Sequence, residues 1–331
     1  MTASLRALLS SAQVVRLPLK TAFRSIQSRE LLLFEGPNGW GEWAAFPEYP
    51  DEEAALWLKA AIEWAYEPLP TPKRTKVGVN AILPAVPTNE VSLLLAEAGQ
   101  FSTVKIKVAE QGQNLETDIA RILEVKNLYP EVKIRLDANG GFQISSAIEL
   151  ITRLRDQGIF LEYFEQPVRS IAELAELKLE ISKHNLQTKI AADESVRKAS
   201  DPLAVSIAGA ADLLILKSAP LGGIAKAIEV ARESKLEVVA SSAMQSSISL
   251  AAELYFACSL PEIKYDCGLG TTSLFAGDLV SDSLISEGGQ MELQRMEPEA
   301  SLLQKYSVDE ETRSRWLTRL ENCGRILGLE P

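Results

Sequence analysis

A chain of 331 residues with a hydrophobic fraction of 46% is long enough for one large α/β barrel, which takes about 250 residues, plus a smaller accessory unit. That apolar fraction excludes wholesale disorder, and a formal net charge of −11 with both signs interspersed argues against a nucleic-acid surface. The three cysteines, Cys258, Cys267 and Cys323, are odd in number and lack Cys-x-x-Cys spacing, which points to a reduced, cytoplasmic setting and gives a zinc site no support.

The start, Met1 to Val15, mixes Ser and Ala with Leu and lacks the charged head and continuous apolar core of a signal peptide. No stretch approaches the roughly 18 uninterrupted apolar residues of a membrane span, so no membrane partner is expected. Short β-like runs follow at Val14–Leu19 and Leu31–Glu35, broken by a turn at Pro37-Asn38-Gly39. A helix then opens on the acidic Pro50-Asp51-Glu52-Glu53 and carries Leu56, Leu58, Ala61 and Trp64 on its apolar side. Strands followed by a helix read as a small α+β unit over residues 1–75.

From about residue 76 the rhythm becomes strict alternation. Apolar runs at Val77–Leu83, Val104–Val108, Val132–Leu136, Phe160–Phe164, Lys189–Ala192, Leu213–Leu216, Glu237–Ala240 and Ile263–Tyr265 predict eight strands. Helices are predicted between them, among others at Asn114–Tyr129, Ser145–Gln157, Ile171–His184, Gly223–Ser234 and Ser246–Ser259. This is the pattern of a closed parallel barrel over 76–282. An open doubly wound sheet would announce itself with a Gly-rich phosphate turn after its first strand, and none follows Val77–Leu83. The last stretch, 283–331, is helical and polar with Trp316 and Leu320, and is expected to pack back on the rest.

Residues at the carboxyl ends of barrel strands face the mouth where chemistry is done. Three consecutive predicted strands end in Asp137-Ala138-Asn139, Glu165-Gln166-Pro167 and Asp193-Glu194-Ser195, and the three acids stand 28 residues apart in turn. Each tripeptide alone reads equally well as turn or cap chemistry. Together, three carboxylates at one topological level would repel one another, and a hard divalent cation resolves the repulsion.

In Val104-Lys105-Ile106-Lys107-Val108 a period of two places both lysines on the face opposite the apolar residues, hence inside a barrel whose outer face helices cover. Lys217 ends the sixth predicted strand, across the ring from the second. A lysine beside other cations in a partly desolvated pocket has its pKa lowered and can act as a general base. The single histidine, His184, sits at the end of a helix preceding a strand, the wrong end for catalysis, and reads as structural.

Taken together, Lys105 and Lys107, Asp137 to Asn139, Glu165 to Pro167, Asp193 to Ser195 and Lys217 resemble the enolase superfamily and, within it, the muconate-lactonizing-enzyme subgroup. The absence of a histidine at any strand end disfavours the histidine-base subgroups. Further stretches are similar to the o-succinylbenzoate synthase family: Gly39-Trp40-Gly41-Glu42, Phe46-Pro47-Glu48-Tyr49, Leu216 to Gly223, Ser241-Ser242-Ala243 and Cys267 to Thr271.

The resemblance implies a modified TIM barrel of the (β/α)7β type with an N-terminal α+β capping domain. It implies a hydro-lyase that dehydrates 2-succinyl-6-hydroxy-2,4-cyclohexadiene-1-carboxylate, a small carboxylate, in menaquinone biosynthesis. Lys107 would be the base, Lys217 would stabilise the enolate from the opposite face, and Asp137, Glu165 and Asp193 would hold Mg²⁺, with Mn²⁺ as a substitute. Lys105 would bind a substrate carboxylate or keep the Lys107 pKa depressed, and Arg135 would position Lys107 or balance the carboxylates. Asn139 and Ser242 would support the site, and Gly222 and Gly270 would let backbone approach the substrate. Phe23-Arg24-Ser25 and the Phe46–Tyr49 loop would lie near the succinyl tail. The same machinery would also suit an N-acylamino acid racemase or a dipeptide epimerase, the latter with Asp266 receiving the substrate's amino group. A catalytically silent barrel is disfavoured, because so many charged groups held together without a metal would cost stability. Nothing in the sequence sets an oligomeric state.

Overall fold

The computed structural model describes residues 3–23, 26–198 and 201–330. Helix α1 (Leu5–Ser11), which the sequence reading did not contain, is capped by the Ser4 side chain and buries Leu5 and Leu8. Strands β1 (Gln13–Phe23), β2 (Ile26–Gly36) and β3 (Gly39–Trp43) pair antiparallel in that order, and the two predicted runs lie in the first half of β1 and the second half of β2. Helix α2 (Asp51–Tyr66) lies directly on this sheet. The approach is so close that a Cβ on Gly41 would stand 2.7 Å from the Ala61 carbonyl oxygen. Trp57, Leu58, Ala61 and Trp64 are buried, whereas Leu56 is turned out, 41% exposed.

The run predicted as one strand, Val77–Leu83, divides. Strand β4 (Lys76–Gly78) pairs antiparallel with 290–292. The Val79 and Asn80 amides then bond to Gly289 and Cys267, and the chain passes into the barrel as β5 (Ala81–Leu83). Helix α3 (Thr88–Glu97) follows, and then β6 (Thr103–Lys107), α4 (Leu115–Leu128), β7 (Lys133–Asp137), α5 (Ile144–Asp156), β8 (Leu161–Glu165), α6 (Ile171–Lys183) and β9 (Ile190–Ala192). Two one-turn helices, α7 (Glu194–Arg197) and α8 (Ala204–Ile207), lead to β10 (Leu213–Leu216). The short α9 (Ser218–Leu221), then α10 (Ile224–Ser234), β11 (Glu237–Ala240) and α11 (Ser247–Ser259), complete the repeat. Helices α4 and α6 begin in reciprocal capping boxes, Asn114 with Thr117 and Ser170 with Glu173, which fix where they start.

Strands β5 to β11 form one seven-stranded sheet in sequence order, parallel throughout. The eighth position is not filled by Ile263–Tyr265. Residues 267 and 268 fill it, through parallel bridges from Cys267 to Val79 and from Gly268 to Ser241 that join β11 back to the start of the ring. Beyond it lie β12 (Gln290–Glu292), α12 (Ala300–Lys305) and α13 (Glu310–Ile326). Helix α13 buries Trp316 and Leu320 in the core of the amino-terminal unit, with Trp316 edge-on to Trp43 at 5.1 Å between ring centroids. Among the described residues no helix is long and apolar enough to cross a membrane, and all three cysteines are buried and free.

The amino-terminal unit caps the carboxyl ends of the strands. Arg29 donates to the carbonyls of Met244 and Ala44 and stacks over Phe46 at 3.7 Å. Glu42 accepts from the amide and hydroxyl of Ser246, the residue that starts α11. Glu63 accepts from the amides of Ile224 and Ala225 at the start of α10.

Burial drives the Glu42 carboxyl up from 4.5 to about 7, against the pull of its Ser246 bonds. The folded chain therefore binds this proton more tightly than the unfolded chain. The stabilisation is complete below pH 4.5 and is lost as pH rises through about 7. Relative to E42Q, the wild-type chain should lose about 3 kcal/mol across that window. Urea titrations at pH 4.5 and 7.5 would show it, and a difference that does not move with pH would refute it.

Candidate active site

The register of the barrel sets the site. Lys107, Asp137 and Glu165 are direct neighbours across β6, β7 and β8, and Lys105, Arg135 and Tyr163 form the row beneath. Alternate residues share a face, so both rows point into the barrel, while Val104, Ile106, Leu136 and Phe164 pack outward under the helices. Lys105, Lys107 and Lys217 are only 8%, 3% and 5% exposed. Strands β6 and β10 are separated by three strands, so Lys107 and Lys217 enter one pocket from opposite sides. Ile82, Ser242, Met244 and Thr271 also line it.

The turns after the strands are locked to one another. Gln166, fully buried with φ 37°, accepts from the amides of Asp193 and Ser195 and donates to the Ser195 hydroxyl at 2.8 Å. The Gly140 amide bonds back to the Gln166 carbonyl at 2.6 Å. Glu-Gln-Pro and Asp-Glu-Ser are therefore one hydrogen-bonded unit that fixes Glu165 relative to Asp193.

Each acid faces a lysine. Lys107 donates to Asp137 and to the Asn139 side-chain oxygen, both at 2.6 Å. Lys105 donates to both oxygens of Glu165 at 3.0 and 3.2 Å and stands 3.3 Å from Asp137. Lys217 reaches both oxygens of Asp193 at 2.7 Å. Arg197, four residues on, lies 3.3 Å from Asp193, bonds Glu194 at 2.7 Å and donates to the Tyr49 hydroxyl of the cap.

Burial, then the charge of Asp137 and that of Asp193, push the Glu165 carboxyl up to about 7, although Lys105 and Lys217 act the other way. Three carboxylates crowded into one enclosed space, with no thiolate or imidazole among them, suit a hard divalent cation. As the side chains are turned here, no three of the described residues close on a single point, because the lysines hold the acids apart. Burial lowers the Lys105 pKa, but Glu165 and Asp137 outweigh burial and hold it well above its ordinary value.

Arg135 does not reach Lys107 or the three acids. It lies in the row below, bonded to Glu162 at 2.6 Å, to the Asn80 side chain and to the Asp266 carbonyl, with Tyr163 beneath its guanidinium. It ties the first, third, fourth and eighth positions of the ring. R135A should therefore cost about 3–5 kcal/mol, since Glu162 and the ring carbonyl lose their buried partner. Denaturant unfolding reads this directly, and a loss below about 1 kcal/mol would contradict it.

Ser242 lines the pocket and bonds Gly268 and Thr271. Gly222, at φ 88°, instead ends α9 in the left-handed conformation, beside Leu56 and Lys59 of the cap. Gly270 abuts Asn80 and Ile82 in an adjoining pocket. Asp266 accepts from Ser102 and Thr103 at the amino end of β6, both at 2.7 Å, away from the mouth. His184 is exposed at the end of α6. Phe46 is buried under Arg29 and Trp57, and Tyr49 alone of that loop reaches toward the site, through Arg197. Arg24 and Ser25 and the Phe23 side chain lie outside the described residues.

Two residues that shape the site escaped the sequence reading. Arg197 carried a local signal, four residues after Asp193. Glu253 is a lone charge inside the apolar α11, a pattern that itself asks for a buried partner.

Comparison with known proteins agrees with this geometry. Residues 89–298 match the family model described as enolase C-terminal domain-like, and residues 14–65 match the enolase N-terminal domain-like model. The chain is 43% identical over 325 residues to the o-succinylbenzoate synthase of Mycobacterium ulcerans, covering 98% of this chain and 97% of that one. It is also 43% identical to that of Mycobacterium tuberculosis over 323 residues, 98% and 96% of the two chains. Among solved structures, N-succinyl Arg/Lys racemase from Bacillus cereus superposes with a TM-score of 0.73 at 19% identity, over 90% of this chain and 97% of that one. The 2-chloromuconate cycloisomerase of Rhodococcus opacus does so at 0.70 and 20%, over 90% and 98%. These two likenesses speak to the fold. By its two family models and its relatives, the chain belongs to the enolase superfamily and, within it, to the o-succinylbenzoate synthase family.

Proposed function

We propose that the chain dehydrates 2-succinyl-6-hydroxy-2,4-cyclohexadiene-1-carboxylate to 2-succinylbenzoate, as a hydro-lyase of menaquinone biosynthesis. The observation that carries this reading is the pair Lys107 and Lys217, opposed across a pocket that also holds Lys105, Asp137 and Glu165, in a chain 43% identical to o-succinylbenzoate synthases. Unprotonated Lys107 takes the ring proton next to the substrate carboxylate, and the C–H electron pair passes into that carboxylate as an enolate. The pair then returns to form the ring double bond as the neighbouring C–O bond breaks. Lys107 gives its proton to the departing hydroxyl, which leaves as water. Lys217 donates to the enolate from the opposite side. Asn139 and Asp137 orient the Lys107 ammonium, and Lys105 balances Glu165.

Enzymes of this family use a divalent metal. Asp137, Glu165 and Asp193 are the residues that would hold it, Mg²⁺ by the hardness of their oxygens, with Mn²⁺ as a substitute. When bound there, the cation supplies fixed positive charge that lowers the cost of the enolate. The buried free thiols suit a reducing cytoplasm.

Racemisation or epimerisation on the same site is the weaker reading. Asp266, the carboxylate a dipeptide epimerase would aim at the substrate's amino group, is held by two hydroxyls at the far end of β6. The test is a side-by-side assay of kcat/KM on the cyclohexadiene, on N-acylamino acids and on dipeptides. The cyclohexadiene should be preferred by at least about a hundredfold, and a preference for either amino-acid class would overturn the reading.

A further inference from the structure

Lys217 stands one residue beyond β10, so the direction in which its side chain leaves depends on how the following backbone is held. Glu253 holds it. This carboxylate is 0% exposed, and its two oxygens accept separately from the amides of Ser218 at 2.7 Å and Ala219 at 3.1 Å. No basic side chain among the described residues makes an ion pair with it, although the Lys217 charge acts to stabilise its ionised form. A lone carboxylate in an apolar helix costs several kcal/mol unless its bonds are made, and these bonds are spent on the two amides next to Lys217.

We infer that Glu253 is the positioning residue for Lys217. It clamps the two amides that follow the lysine and thereby sets how far the ammonium reaches into the pocket. The inference rests on the role given to Lys217 above. The molecule carries its own control: Glu63 makes the same two-amide clamp, on Ile224 and Ala225, but with no site lysine beside it.

The experiment uses the full chain with Mg²⁺ and the cyclohexadiene substrate. In E253Q one amide acceptor becomes a donor turned against a backbone N–H. Displacement of the lysine should lower kcat by about 10- to 100-fold with KM within about threefold. E253D, which keeps the charge one methylene short, should recover part of that loss. E63Q should lower the melting temperature yet keep kcat within about twofold, since it removes a cap and nothing in the site. If E253Q keeps its kcat, or E63Q loses as much, the clamp is structural only and the inference fails. If E253Q does not fold, E253D decides alone: a fall in kcat with KM retained supports the inference, and an unchanged kcat ends it. A failure of the functional reading is distinguishable, because K217A would then turn over like the wild-type chain.

Discussion

Replacing Lys107 with alanine should lower formation of 2-succinylbenzoate by roughly 10³- to 10⁴-fold while the chain stays folded, the scale of a lost general base that also returns the proton. The geometry makes this sharper than an ordinary alanine scan. Lys105 stands beside the same acids, 3.3 Å from Asp137, so K107A does not strip Asp137 of positive charge and the pocket should hold together. Arginine separates charge from basicity. K107R keeps a cation against Asp137 and Asn139, but guanidinium does not release its proton, so its turnover should be as low as that of K107A. At Lys217, proposed here as a donor, K217R should retain measurably more activity than K217A. Turnover by K107R within tenfold of wild type would remove Lys107 as the base.

Chelation of divalent metal should bring turnover to background, and Mg²⁺ or Mn²⁺ should restore it. The acids show why. Burial, together with the charges of Asp137 and Asp193, pushes the Glu165 carboxyl up to about 7, a crowding of carboxylates that a divalent cation relieves. The enolate adds further negative charge at the same place. Lys217 alone would meet it, and one donor is worth about 3–4 kcal/mol of barrier, far short of the whole. Zinc or calcium, with other preferred geometries, should restore less. Full activity in the presence of excess chelator would remove the metal from the account.

The barrel and its site were legible because both rest on local periodicity. Three acids 28 residues apart fall at one level because each step is one strand and one helix, and a period of two turned Lys105 and Lys107 inward. Periodicity says nothing about where a strand changes partners. Val77–Leu83 therefore hid the passage from β4 to β5, and the apolar Ile263–Tyr265 drew attention from Cys267 and Gly268, which make the closing bridges. Arg135 was placed in the site because it shares a face with Asp137. A rise of about 3.3 Å per residue sets it roughly 7 Å deeper, among Glu162, Tyr163 and Tyr265, where it holds the ring together. The clamps by Glu42, Glu63 and Glu253 join residues 204, 161 and 35 positions apart, a separation with no local signature beyond a charge inside an apolar run.

The central claim, that opposed lysines and three acids aromatise a hydroxycyclohexadiene carboxylate, is tested most directly by incubating the purified chain with Mg²⁺ and that substrate while following the diene absorbance and the aromatic product. The account predicts one 2-succinylbenzoate and one water per substrate consumed, at an ordinary enzymatic rate of about 1 s⁻¹ or more. Loss of substrate no faster than in buffer alone would contradict it.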